Sequence, residues 1–114
     1  DMHELPIAEG IMNVVLPAAE KAQAKRVLKI RLKIGALSGV VPSCVEEYLD
    51  MLGKGTILEG AKIAYEMTPV TIECSPCGGT AGLWRSQTRC PHCGSMDIRV
   101  TGGFDCLVDS IEAE

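Results

Sequence analysis

The stretch CSPCGGTAGLWRSQTRCPHCGS, residues 74–95, carries two C-x2-C pairs separated by twelve residues. Two residues between thiolates allow one turn to direct both sulfurs at a single ion, and four such sulfurs complete the closed tetrahedral shell of a structural zinc site. Gly78 and Gly94 follow the pairs, and glycine tolerates the positive φ that turns backbone amides toward the sulfurs. The spacing predicts a zinc site and a zinc-ribbon domain built on Cys74, Cys77, Cys90 and Cys93.

Other interpretations of the same cysteines stay open at this point. The four cysteines could instead form two disulfides, as in a secreted protein, or remain four free thiols, and an iron site of rubredoxin type is also tetrahedral S4. Zinc is favoured over disulfides because paired spacing in an intracellular chain indicates metal. It is favoured over iron because Trp84 is the one aromatic residue of this stretch, too few to shield a redox centre from solvent. His92, inside the second pair, is either a solvated loop histidine, which we favour, or a pH-sensitive neighbour or substitute ligand of the zinc. Cys44 and Cys106 are interpreted as small apolar fillers.

Two helices are predicted before the cysteines. Residues 5–24 carry an apolar stripe at helical spacing, and Pro17 predicts a kink or break within it. A second helix begins at Ser43, which forms a capping box with Glu46, and ends at Gly53. Its apolar stripe consists of Val45, Tyr48, Leu49 and Leu52.

Strands alternate with the helices and continue beyond the cysteines. In VLKIRLKIG, residues 27–35, apolar residues alternate with Lys29, Arg31 and Lys33, which is the pattern of a half-buried strand with a basic outer row. We interpret that row as a solvated face or a protein-docking edge. A two-stranded ribbon fits in the twelve residues between the cysteine pairs. Further strands are predicted at 62–67, 70–74, 98–100 and 104–113.

This order of elements predicts an α+β fold with an inserted domain. The final strand must return to the first domain, because its sheet would otherwise stay narrow. We expect a small domain of two helices packed on a roughly three-stranded sheet, with an inserted zinc-ribbon domain. The predicted boundaries are 1–69 plus 102–114 for the α+β domain and 70–101 for the zinc ribbon.

Composition excludes several classes of function. The 114 residues are 46% hydrophobic with a net charge of −4, so a general binder of nucleic acid or anionic membranes is not expected. No apolar run has transmembrane length, and no secretory signal is recognisable, so we expect a cytoplasmic protein without a membrane partner.

Two other functions, nucleic-acid binding and catalysis, find little support in the sequence. A zinc-ribbon nucleic-acid module would need a denser basic patch than residues 70–101 offer, with a net charge of +1 and one aromatic residue. An enzyme is disfavoured because the chain has no Gly-rich phosphate loop and no G-x-S-x-G motif. We therefore expect neither nucleic-acid binding nor catalysis.

The N-terminal tip, DMHELPIAEG, carries one of only two histidines. A terminal amine, deprotonated amides and an imidazole can chelate a metal in one plane, and square-planar nitrogen sites are typical of Ni(II) or Cu(II). Taken alone, Met2, His3 and Glu4 are therefore either a disordered chain end or part of a Ni(II) or Cu(II) site.

Four motifs in this order carry a family resemblance. They are Met-His-Glu-Leu at the start, Lys-Ile-Gly-Ala-Leu-Ser at the end of the first strand, a later Glu-Gly-Ala and the two C-x2-C pairs. Together they resemble the hydrogenase nickel-incorporation proteins of the HypA/HybF family over nearly the whole chain. The resemblance implies a nickel metallochaperone that delivers Ni(II) as transient cargo during maturation of NiFe hydrogenase, and of urease in some bacteria. It also implies a partner GTPase, the hydrogenase large subunit as acceptor, and separate nickel and zinc domains.

The resemblance also assigns roles at the tip. It implies that the His3 imidazole and backbone nitrogens around Met2 hold nickel, while Glu4 tunes the site or meets the partner. Asp1 precedes the methionine at which the family begins, and we interpret it as the remnant of a cleaved tag. Its amine, two amides and the His3 imidazole would form an X-X-His chelate of altered geometry. The oligomeric state is expected to be a monomer or a homodimer that exchanges the zinc domain.

Overall fold

The computed structural model describes residues 4–84 and 87–114. Within them the chain forms two helices and six strands: α1 Glu4–Lys21, β1 Val27–Gly35, α2 Pro42–Gly53, β2 Lys62–Thr68, β3 Val70–Cys74, β4 Thr80–Leu83, β5 Ile98–Gly102 and β6 Cys106–Ala113. The chain divides into two compact units. The first unit comprises the residues up to Lys33 together with 40–66 and 106–114, and the second unit comprises 34–39 and 67–105.

The first sheet has the strand order β2-β1-β6. Its third strand comes from the end of the chain, so the prediction that the final strand returns to the first domain is confirmed. Helix α1 packs against α2 and β6. The predicted α+β fold, with two helices and a three-stranded sheet, is therefore confirmed. Neither helix in the described residues is both long and apolar enough to cross a membrane.

Helix α1 is held by the apolar stripe that the sequence predicts. Ala8, Ile11, Val15 and Ala19 are buried at spacings of three and four. Of the kink or break predicted at Pro17, the break is wrong, since the helix continues through Pro17 to Lys21. Proline removes the donor to the carbonyl of the residue four before it. Pro17 and Asn13 lie on the exposed side of the helix, where water can satisfy that carbonyl.

Helix α2 begins at Pro42, one residue earlier than predicted, and it lacks the predicted side-chain cap. Its N-cap is Val41 and no side chain caps it by a hydrogen bond, so the capping box of Ser43 and Glu46 is wrong. Pro42 occupies the first turn with a φ already suited to the helix. Ser43 therefore lies inside the helix, two positions beyond the N-cap Val41, where a hydroxyl could cap the helix.

Strand β1 is the central strand of the first sheet, so the docking-edge interpretation of its basic row is wrong. Its inner residues Ile30, Leu32 and Ile34 are buried. On the outer row, Arg31 donates to Glu112 at 2.9 Å and Lys33 lies 3.7 Å from Asp109, both acids being on β6. The Arg31 hydrogen bond lowers the pKa of Glu112 below its ordinary value. The row is a solvent-facing set of cross-strand ion pairs.

The second unit is built on the antiparallel sheet β4-β3-β5. One face is polar, with Arg99 donating to Glu73 at 3.1 Å and Thr101 to Thr71 at 3.4 Å. The expected two-stranded ribbon between the cysteine pairs is wrong for the described part of that gap, which holds one strand, β4. Its partner is β3, which ends at the first cysteine of the first pair and lies between β4 and β5 in the sheet.

Candidate metal centres

The second unit brings the four predicted cysteine sulfurs together. The Sγ atoms of Cys74 and Cys93 are 3.5 Å apart, those of Cys77 and Cys90 are 3.7 Å apart, and all four lie within 4.8 Å of one another. All six cysteines of the chain are free thiols. A tetrahedral zinc with Zn–S bonds of about 2.3 Å requires sulfur pairs about 3.8 Å apart. The cluster therefore fits a zinc ion with little movement.

Two equivalent turns present these sulfurs. In each, the glycine after the pair has positive φ, 68° at Gly78 and 77° at Gly94, and donates its N–H to the carbonyl of the first cysteine, at 2.9 and 2.8 Å. The first cysteine of each pair, Cys74 or Cys90, is buried, while the second is exposed. An L-residue with a Cβ is strained at such φ values, so the sequence requires glycine at both positions.

The thiols of the cluster do not ionise alike. The Cys77 N–H lowers the pKa of Cys74, but burial and the neighbouring thiols raise it to about 12. Burial raises the pKa of Cys90, but the backbone N–H groups of Cys93 and His92 and the nearby thiols lower it to about 6. Without a cation the cluster accepts negative charge at one sulfur and resists it at another. A bound divalent metal ionises coordinating thiols outright.

His92 lies beside the cluster in a defined position. Its Nε2 is 3.2 Å from the carbonyl oxygen of Thr80 on β4. A Cβ at Gly79 would lie 3.3 Å from both the Cys77 Sγ and the His92 Cδ2, so the imidazole packs close to the first cysteine turn. The ring remains exposed. Cys44 and Cys106 are half-buried and belong to neither turn, and burial raises the pKa of Cys106.

The predicted nickel residues are only in part within the described structure. Met2 and His3 lie outside the described residues. Glu4 begins α1 and is fully buried, and both of its carboxylate oxygens lack a hydrogen-bond partner among the described residues. This burial favours the interpretation that Glu4 tunes the tip over the interpretation that it meets a partner protein, and both stay predictions.

Sequence reasoning did not anticipate this burial, although a signal was present. Glu4 stands four residues before Ala8, in step with the stripe that continues through Ile11 and Val15. A carboxylate that shares the buried stripe of a helix is a candidate functional group, because ionised side chains are almost never fully buried without a partner.

The sequence and the fold of this chain are similar to those of known proteins. The family model described as "Hydrogenase/urease nickel incorporation, metallochaperone, hypA" matches residues 2–113.

The chain belongs to the HypA family.

Curated HypA relatives match along nearly their whole length. The hydrogenase maturation factor HypA of Methanothermobacter thermautotrophicus is 39% identical over 99% of this chain and 98% of its own. That of Geobacter sulfurreducens is 36% identical over 99% of this chain and 100% of its own. The family is one of nickel metallochaperones that act in hydrogenase maturation.

Solved HypA structures have the same fold. The solution structure of the Ni metallochaperone HypA from Helicobacter pylori has a TM-score of 0.69 at 18% identity, covering 96% of each chain. A second HypA solution structure has a TM-score of 0.74 at 20% identity, covering 100% of this chain and 98% of its own. The match to these structures extends over both units of the chain. The four-cysteine cluster is the site suited to a structural zinc ion.

Proposed function

We propose that this HypA chain carries Ni(II) at its N-terminal tip, on the His3 imidazole and backbone nitrogens of Met2, His3 and Glu4. The observation that carries the proposal is the buried carboxylate of Glu4, which lacks a partner among the described residues. A buried negative charge is costly unless a cation lies near it. Nickel held by the residues just before Glu4 would place two positive charges next to that carboxylate. Few protein ligands at the end of a chain would also permit release of the ion to an acceptor.

The zinc ligands belong to the same proposal. Cys74, Cys77, Cys90 and Cys93 would hold Zn(II) as a closed structural site, and the ion would supply folding energy to the second unit. The support is the spacing of their sulfurs and the two glycine turns beneath them. Four thiols also require a reducing compartment, which supports a cytoplasmic location.

Domain roles and partners complete the proposal. Residues 1–69 plus 102–114 would form the nickel domain and residues 70–101 the zinc-ribbon domain. The partners would be the GTPase of nickel insertion and the hydrogenase large subunit, with the chain acting as a monomer or homodimer and catalysing no reaction itself. Family membership supports these roles, since relatives are hydrogenase maturation factors.

Metal content and nickel titration test the site assignment. Mass spectrometry of the purified chain should give one tightly bound zinc, and isothermal titration should give one nickel that is lost in His3→Ala. The matched control is His92→Ala, which removes the only other histidine of the chain and should keep the nickel.

The opposite results would exclude the proposal. Nickel binding that survives His3→Ala but is lost in His92→Ala would place the ion at the cysteine cluster. Zinc without nickel binding in the unmodified chain would leave a zinc-stabilised interaction protein.

A further inference from the structure

The sheet of the second unit has an apolar face that no helix of that unit covers. Strand register places the side chains of opposed residues on this face: Val70 faces Leu83, Val100 faces Ile72, and Ile98 faces Cys74. A sheet with one apolar face is stable when a second layer covers it. The described residues of the second unit form strands, turns and loops, so they include no helix that could supply that layer.

Above this face lies an open cavity of about 510 Å³, and all of its described lining residues belong to the second unit. We call it the apolar groove, with a floor of Val70, Ile72, Leu83, Ile98 and Val100. Its walls include Leu37, Met67 and Trp84, which are 46%, 41% and 48% exposed. Val100 on the floor is 45% exposed. Large apolar side chains that stay exposed together in a concave surface are typical of a protein-binding site.

The lining argues against a small polar ligand. Among the residues that the structure describes, ten line the groove and none of them is charged. The polar member Gln87 already accepts a hydrogen bond from the Trp84 N–H at 2.8 Å. Small-molecule sites place a few polar groups to orient the ligand, whereas the described part of this lining offers only Gln87.

The dimensions of the groove favour a helix. Three strands spaced about 4.8 Å apart make a floor about 10 Å wide, which matches the 10–12 Å diameter of one helix. The five residues of β3 extend about 17 Å, the length of about eleven helical residues. A globular second copy would need about 800 Å² and some 20–30 residues on each side, more than the ten residues here can offer.

We propose that the apolar groove binds an amphipathic helix of about three turns, carried by a partner protein of nickel delivery. The helix would present apolar residues at i, i+3, i+4 and i+7 to the floor and keep its polar face toward solvent. The choice of partner rests on the proposed function, whereas the groove and its helical occupant do not.

Peptide binding tests this inference in the full-length, zinc-loaded chain. The probes are fluorescent peptides of about twenty residues, tiled over the nickel-insertion GTPase and the hydrogenase large subunit of the same organism. The key variant is Val100→Asp, which places a charge on the groove floor. The matched control is Thr101→Asp, whose side chain lies on the polar face of the same strand. Trp84→Ala is a second groove variant at an exposed wall position, in case Val100→Asp does not fold.

We expect a peptide that gains helical circular dichroism on binding. Its affinity should be unchanged by Thr101→Asp and at least about tenfold weaker with Val100→Asp or Trp84→Ala, as for loss of an interface anchor. The inference is overturned if no peptide binds, if the groove variants bind as well as the control, or if light scattering shows that the groove variants instead abolish a dimer. Nickel titration of the same samples separates the two proposals, since loss of nickel binding with intact peptide binding refutes only the nickel site.

Discussion

Replacing Glu4 by glutamine should stabilise the nickel-free protein while weakening nickel binding. The Glu4 carboxylate is fully buried and neither oxygen has a partner among the described residues. An unpartnered buried charge costs several kcal/mol, whereas an unpartnered neutral polar group costs about 1–3 kcal/mol. A negative charge in the first turn of α1 returns only about 0.3–1 kcal/mol through the helix dipole. Desolvation therefore outweighs the dipole, and we expect Glu4→Gln to raise the free energy of unfolding by about 1–2 kcal/mol.

Urea denaturation in nickel-free, zinc-replete buffer measures this difference. Far-UV circular dichroism is the appropriate signal, because α1 and α2 both lie in the first unit. The control is Glu9→Gln, which removes an exposed carboxylate from the same helix and should change stability by less than about 0.5 kcal/mol. Nickel titration of Glu4→Gln should show weaker binding, since the charge next to the tip is gone. If Glu4→Gln instead destabilises the nickel-free protein by about 1 kcal/mol or more, the carboxylate has a favourable partner and the reasoning is wrong.

Three further predictions follow from the fold and the cysteine cluster. A Cβ at Gly35 would collide with the backbone of Gly103 and Asp105, so Gly35→Ala should lower the free energy of unfolding in urea by about 3 kcal/mol. A Cβ at Gly10 in α1 would meet no neighbouring atom within 4 Å, so the control Gly10→Ala should raise that free energy by about 0.5–1 kcal/mol. Chelation of zinc should change the fluorescence of Trp84 as the second unit unfolds while helical ellipticity persists, and simultaneous loss of both would contradict separate units. Zinc affinity, measured by competition with a chromophoric chelator, should fall at least about tenfold for each unit by which the pH is lowered, because Cys74 must lose a proton to bind zinc. The fall should be steeper below about pH 6, where Cys90 is protonated as well. An affinity that does not change with pH would exclude proton release by these thiols.

The sequence predicts those features of the fold that depend on local periodicity. The stripes of α1 and α2, the alternation of β1 and the paired cysteines each follow from one spacing and one neighbour type. The return of β6 to the first sheet could be inferred because a narrow sheet would leave its apolar face uncovered. These inferences need no knowledge of which distant side chains meet.

The errors concern competing local signals and distant contacts. At α2, Pro42 and Ser43 both offer a helix start, and the proline prevails because its φ is fixed before any side-chain hydrogen bond forms. At β1, the partners of Arg31 and Lys33 lie on β6, far along the chain, so the basic row looks like a docking edge when read alone. At Glu4, the ordinary preference of glutamate for water concealed a position in step with the buried stripe.

The insertion of the zinc unit between β1 and β6 has a consequence for the order of folding. The strands that pair in the first sheet are separated by the second unit, of which residues 67–105 form a loop of about forty residues. Closing a flexible loop of that length costs about 3 kcal/mol in chain entropy. In the folded unit the two ends of the loop already meet, since a Cβ at Gly103 would lie 3.1 Å from the Cα of Val70. If zinc folds the second unit first, this loop is closed before β6 pairs with β1. Chains without zinc should therefore form the first sheet more slowly.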